Sequence, residues 1–161
     1  MAGNEKSFYI TKEGHDNLVK ELKRLKSVER PANIKAIEEA IAHGDLSENA
    51  EYHSAKEKQS FLTGKIMELE DKIARAQVIE VSKICAEKVV FGATVKLLDL
   101  NTDKEVSYKI VGDTESDVKE GKISISSPIA KALIGKCIGD EARINVPNGV
   151  KEFEIIDIKY V

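Results

Sequence analysis

Two carboxylates, Asp45 and Glu48, lie in the segment His43-Gly-Asp-Leu-Ser-Glu-Asn-Ala-Glu-Tyr52, between two long stretches of helical periodicity. Acids at this spacing can cap a helix, hold a cation, or carry charge to a partner. As a capping box, Asp45 accepts a hydrogen bond from the N3 amide and Glu48 reaches back to the cap residue's amide. Acids in a first turn also suit the helix dipole, and on spacing alone capping is the preferred reading. A preformed transition-metal site from His43, Asp45, Glu48 and His53 fits poorly. Ligands on one helical face recur every three or four residues, and structural zinc favours Cys or more His. The two carboxylates alone suit a hard cation such as Mg²⁺, whose shell is completed by waters and phosphate oxygens from elsewhere. The expectation is therefore a shared ion, with no cofactor bound stably by the chain alone.

The elements that must position these acids are helical. Tyr52, Ala55, Gln59, Leu62, Ile66, Leu69, Ile73 and Ala76 alternate three and four residues apart, the seam of a coiled coil broken only at Gln59. In the preceding arm Leu18, Leu22 and Leu25 share one face, and Ile34, Ile37 and Ile41 share another, slipped in phase across Pro31. Proline removes a backbone donor and crowds the preceding turn, so a break or kink at Pro31 is expected. Thr11 is a reasonable N-cap for this arm. Two such arms of ~30 residues would carry their connecting turn ~45 Å from the base. Charges such as Lys20, Lys23, Arg24, Lys26, Glu68, Glu70, Asp71 and Lys72 read as solvated faces and interhelical pairs.

After about Cys85 the period changes to two. Strands are expected over 92–100, 105–111, 122–126, 141–146 and 151–160, with turn signals at Asn101-Thr-Asp, Gly112-Asp and Pro147-Asn-Gly149. One helix interrupts them: Ser127-Pro-Ile-Ala-Lys-Ala-Leu-Ile-Gly135 has serine at the N-cap, proline at N1 and glycine past the end. The fold class expected is α+β: an antiparallel coiled-coil hairpin over residues 1–80, then a small antiparallel sheet with one short helix over 81–161.

Composition limits what such a chain can do. With 161 residues, 33% charged, 42% hydrophobic, 5% aromatic and net charge −3, it is long enough for two small domains. No apolar run approaches the ~20 residues of a membrane span, and Asn4, Glu5 and Lys6 flank no hydrophobic stretch of a secretory signal. No membrane association is expected. Cys85 and Cys137 have no partner at metal spacing, so reduced thiols in a cytoplasmic protein are expected. A chain this close to neutral lacks the basic surface for wrapping nucleic acid, and any such contact should be local.

The run His43-Gly-Asp-Leu-Ser-Glu-Asn-Ala-Glu-Tyr-His-Ser-Ala-Lys-Glu57 resembles the tip of the bacterial Gre transcript cleavage factors. Lys26-Ser-Val-Glu-Arg-Pro31, Ala76-Gln-Val-Ile79, Val90-Phe-Gly-Ala-Thr-Val95, Ile110-Val-Gly-Asp113 and Ser126-Ser-Pro-Ile-Ala-Lys-Ala-Leu-Ile-Gly-Lys136 extend the resemblance over nearly the whole chain. Leu46 and the segment 50–58 look like the less basic of the family's two branches. The resemblance implies that the hairpin enters the secondary channel of RNA polymerase while an FKBP-like carboxy-terminal domain docks at its rim. Asp45 and Glu48 would then help hold a second, weakly bound Mg²⁺ in the polymerase active site when the nascent RNA has backtracked. Such a chain activates the polymerase's own cleavage and is not a free-standing nuclease.

Other residues have weaker assignments. Tyr52 is preferred as a seam residue, although its ring could help position a displaced base. Lys56 and Lys58 are solvated lysines by default; the resemblance gives Lys56 a role in steering the RNA 3′ end through phosphate. At Ile41 the resemblance leads one to expect a basic residue, and the chain departs from it. The loop at Ser127 and Pro128 could present its cap to the polymerase, while Ile129, Leu133 and Ile134 are expected to pack under the sheet. Proline isomerisation, known for FKBP-like sheets, finds no obvious aromatic-lined pocket here. A channel-binding inhibitor and a coiled-coil adaptor without nucleic-acid chemistry are the alternatives; only a cleavage factor requires this pair of acids at the tip.

Overall fold

The computed structural model describes residues 6–161, so Asn4 and Glu5 lie outside the described residues. Two compact units are present, one containing His15–Ala76 and the other Ser7–Gly14 together with Gln77–Val161. Among the described residues no helix is long and apolar enough to cross a membrane.

The first arm of the helical unit comprises α1 (Lys12–Arg24), a π-helical stretch (Leu25–Glu29) and α2 (Arg30–Ala42); α3 (Ala50–Arg75) is the second arm. The phase slip expected as a kink is a change of helical pitch. The Arg30 amide donates to the Leu25 carbonyl five residues back, the wider turn of a π-helix. Pro31 stands inside a continuous helical arm, with Glu29 and Arg30 both in the α region, and the widened turn ends directly before it, where the missing donor and the bulk of the ring are accommodated.

Leu25, Leu62, Ile66 and Leu69 form the buried core between the arms, with Leu18 and Leu22 packed against it. The seam of α3 follows the sequence pattern as far as Ile73; Ala76 instead begins a strand. On α2 the expected face is displaced: Ile34 and Ile41 are 45% and 50% exposed, whereas Asn33 and Ala40 are buried. The extra width of the π turn rotates α2, bringing Asn33 to the inside where an apolar repeat had pointed to Ile34.

The second unit contains the expected β-structure, with one change of direction. The strands are β3 (Thr94–Asp99), β4 (Glu105–Val111), β5 (Lys122–Ser124), β6 (Glu141–Val146) and β7 (Gly149–Lys159). They lie in the order β5-β4-β3-β7-β6. Neighbours are antiparallel except β4 and β5, which pair in parallel from Lys109↔Lys122 to Val111↔Ser124, so the sheet is mixed. The return that allows this crosses the 113–121 segment, where Asp117 caps a single 3₁₀ turn.

Helix α4 (Pro128–Leu133) covers this sheet, with Ala130 and Leu133 fully buried against a core that includes Val95, Leu97, Ile110 and Ile155. Of the apolar residues expected beneath the sheet, Ile129 is half-buried and Leu133 fully so, but Ile134 is 39% exposed, because α4 ends at Leu133.

A second, two-stranded sheet of β1 (Phe8–Thr11) and β2 (Ala76–Ile79) had no expectation from sequence. Ile10 is fully buried and Thr11 nearly so. Thr11 caps α1 as expected, accepting from the Gly14 amide at 3.1 Å, while both its amide and its hydroxyl donate to the Glu115 carboxylate. The Gly112 amide donates to the same carboxylate, and a Cβ on Gly112 would collide with the Tyr9 carbonyl.

Candidate functional site

Between α2 and α3 the chain reverses through residues 43–49. The His43 and Gly44 amides donate to the carbonyls of Ala40 and Ile41, and Gly44 turns the backbone out of the helix at φ +111°, a conformation that glycine alone adopts easily. Asp45 follows at once. Its Oδ1 accepts from the Ser47 amide at 3.1 Å and the Ser47 hydroxyl at 2.8 Å, a local turn closed on itself.

The capping box is not formed. Helix α3 starts at Ala50, and its N-cap is Asn49, whose Oδ1 accepts from the Tyr52 amide at 3.1 Å. The Asn49 Nδ2 donates to the Ala40 carbonyl at 2.8 Å, tying the start of α3 to the end of α2. His53 adds a further tie, with Nε2 3.2 Å from the Ser47 carbonyl. Asp45, Ser47 and Asn49 are all good capping types. Only Asn49 also reaches the opposite arm, so it holds both helix ends with one side chain.

That arrangement leaves the two acids exposed and outside the helix. Asp45 spends one oxygen on Ser47, and the Glu48 carboxylate makes no hydrogen bond or ion pair among the described residues. Asp45, Glu48, His43, Asn49, Ala50 and Glu51 line one open depression of about 440 Å³. Among the described residues no group of three or more His, Cys, Asp or Glu side chains could hold a metal ion. Two exposed carboxylates are hard oxygen donors that fit Mg²⁺ as part of a shell completed by another molecule.

The remaining sequence candidates are placed as follows. Tyr52 is half-buried at the seam, with its ring in edge contact with His53 at 5.7 Å. Lys56 is exposed on α3 and donates to Gln59 Oε1 at 2.8 Å. Lys58 pairs with Glu29 across the arms at 3.4 Å, and Lys26 with Glu70 likewise. Ser127 and Pro128 lie in the other unit and begin α4: Ser127 Oγ accepts from the Ala130 amide at 3.2 Å, and Pro128 is exposed at the first turn. The positioning residues that sequence reasoning missed are Ser47 and Asn49.

Comparison with known proteins covers both units. Residues 8–78 match the family model described as transcription elongation factor, N-terminal, and residues 84–160 match transcription elongation factor, GreA/GreB, C-term. Transcription elongation factor GreA of Hyphomonas neptunium is 62% identical over 151 residues, covering 94% of this chain and 96% of that protein. GreA of Phenylobacterium zucineum is 59% identical, covering 94% and 97%. A solved structure of GreA factor homolog 1 (Gfh1) from Thermus thermophilus matches with 28% identity and a TM-score of 0.44, covering 96% of this chain and 99% of that one.

Proposed function

The chain belongs to the GreA/GreB family of transcription elongation factors, and from that membership we propose that it stimulates RNA polymerase to cleave its own backtracked transcript. The hairpin enters the secondary channel and brings Asp45 and Glu48 to the active centre. The sheet domain docks at the rim through the loop at Ser127 and Pro128. The observation that carries this reading is that Asn49 caps α3, which leaves both acids exposed outside the helix, Glu48 without a partner among the described residues and Asp45 with one oxygen uncommitted.

In the complex Asp45 and Glu48 would each offer a carboxylate oxygen to an Mg²⁺ shared with the polymerase. When bound, that ion lowers the cost of forming hydroxide from water and offsets charge at the scissile phosphate. Ser47 holds Asp45 in its turn, so little side-chain freedom remains to be lost when the ion binds. Lys56 offers its remaining ammonium protons to the phosphates of the RNA 3′ segment, a contact without sequence preference. Tyr52, half-buried at the seam with its ring against His53, offers its exposed part as a face for a displaced base. At Ile41 an exposed apolar side chain stands beside the tip, so grip on the RNA rests on Lys56.

The test is a stalled, backtracked polymerase complex titrated with Mg²⁺, with release of short 3′ RNA fragments as the measurement. Asp45→Asn and Glu48→Gln should each lower the maximal cleavage rate by on the order of 10²- to 10³-fold, the usual loss for one well-placed transition-state stabiliser. Higher Mg²⁺ should restore part of it. Normal cleavage by both variants would sink the mechanism, and binding without cleavage by the unaltered chain would leave a channel-blocking inhibitor.

A further inference from the structure

The approach to α4 is built on one carboxylate outside it. Asp113 Oδ1 accepts from the Ser126 hydroxyl at 2.6 Å and from the Ser124 hydroxyl. The two serine oxygens are 2.8 Å apart, and the Ser126 amide donates to Ser124 Oγ at 3.1 Å. The backbone closes over this cluster. The Ser127 amide donates to the Ser124 carbonyl at 2.9 Å, forming a turn over 124–127 that delivers Ser127 as N-cap and Pro128 as the first residue of α4. Each end of the turn is thus held from a strand end. Ser124 closes β5 in register with Val111, and Asp113 lies two residues beyond Val111 on the chain leaving β4. The hydroxyls of Ser124 and then Ser126 hold the Asp113 carboxyl below the usual carboxylate range.

The apolar anchors of α4 lie outside this cluster. Ala130 and Leu133 anchor α4 in the core, and Asp113 and Ser126 are exposed. What the cluster fixes is the path of 124–127. We infer that Asp113 is a positioning residue for docking: through Ser124 and Ser126 it fixes the turn that presents Ser127 and Pro128 to polymerase. The inference rests on the docking role given above to that loop. A loose turn would have to be ordered on binding, which weakens docking without touching the chemistry at the tip.

The experiment titrates the intact chain against backtracked polymerase and separates the half-maximal concentration from the cleavage rate at saturation. Asp113→Ala should raise the half-maximal concentration roughly three- to tenfold, the worth of one or two ordinary hydrogen bonds, with the plateau unchanged. The double variant Ser124→Ala, Ser126→Ala should do the same. Asp113→Asn keeps an acceptor oxygen in place and should change it less than about twofold. Pro128→Glu, tolerated at a helix start, serves as the docking control and should raise it as well. If Pro128→Glu raises it and Asp113→Ala does not, the positioning role is wrong while docking stands. If Asp113→Ala raises it and the serine double variant does not, Asp113 touches the partner itself and the inference is wrong. A half-maximal concentration unmoved by Pro128→Glu removes the docking reading and the inference with it.

Discussion

Asn49 and Asp45 divide between them two tasks that a capping box would have merged. Asn49→Ala removes the α3 cap and the tie to the Ala40 carbonyl, and should destabilise the hairpin by about 1–2 kcal/mol. Asp45→Asn alters only an exposed local turn and should cost less than about 0.5 kcal/mol. Urea titration of both variants, followed by amide exchange at residues 50–53, distinguishes the two; equal losses would mean that Asp45 supports the helix. Tyr160 is a second residue whose role can be isolated. Its hydroxyl donates to the Lys88 carbonyl at 2.6 Å and accepts from the Val90 amide at 3.2 Å. Burial raises the phenol above its ordinary value of 10.0, and the Val90 hydrogen bond opposes this only in part. A group that binds its proton more tightly when folded stabilises the fold below its unfolded pKa and loses that contribution as pH climbs through the folded one. Tyr160→Phe should therefore cost about 1 kcal/mol near neutral pH and make the second unit less sensitive to pH above about 10. Thermal melts at pH 7 and in the alkaline range measure both.

At the scale of the element, the hairpin is tightly packed near the Leu25 cluster and thinly packed beyond it. The π turn brings Asn33 into the seam at 3% exposure, and its Oδ1 has no hydrogen-bond partner. A cavity of about 70 Å³ beside it is lined by Arg30, Ile34, Gln59, Leu62 and Thr63. A buried acceptor without a partner costs about 1–3 kcal/mol, and the cavity has room for a larger side chain. Asn33→Leu should raise the stability of the hairpin by about 1–2 kcal/mol, read as a higher urea midpoint and slower amide exchange in α2. A lower midpoint would show that water fills the cavity and satisfies the amide. The π stretch itself is the response of a helix to Pro31 when both flanking segments have apolar faces to bury. Widening one turn keeps the arm continuous, whereas a sharp break would expose backbone donors and acceptors on both sides.

For the whole molecule, the proposed function puts chemistry and attachment in different units. Two weak contacts on one chain reinforce each other through effective concentration, so loss of the reactive acids need not loosen the complex. The intact chain carrying both Asp45→Asn and Glu48→Gln should compete with the unaltered chain for backtracked polymerase at a half-maximal concentration within about threefold, half a power of ten or ~0.7 kcal/mol, while cleaving almost nothing. Competition assays at fixed unaltered chain test this; failure to compete would make the acids a large part of binding itself.

Sequence alone determined whatever depends on neighbours a few residues apart. The α3 seam from Tyr52 to Ile73, the Ser127 cap with Pro128 behind it, the strands at Glu105–Val111 and Glu141–Val146, and the place of the two acids at the turn between the arms all follow from local period and local hydrogen bonding. Tertiary structure decided what depends on distant partners. Neither the pairing of β1 with β2 nor the grip of Glu115 on Thr11, 104 residues away, has a local pattern to announce it. The parallel pairing of β5 with β4 depends on how the 113–121 segment crosses, and the Asp113 cluster follows from that crossing. Three capping types stood side by side at Asp45, Ser47 and Asn49, equally good by local chemistry. The choice fell to Asn49 because the carbonyl of Ala40, presented by the other arm, gave that side chain a second partner.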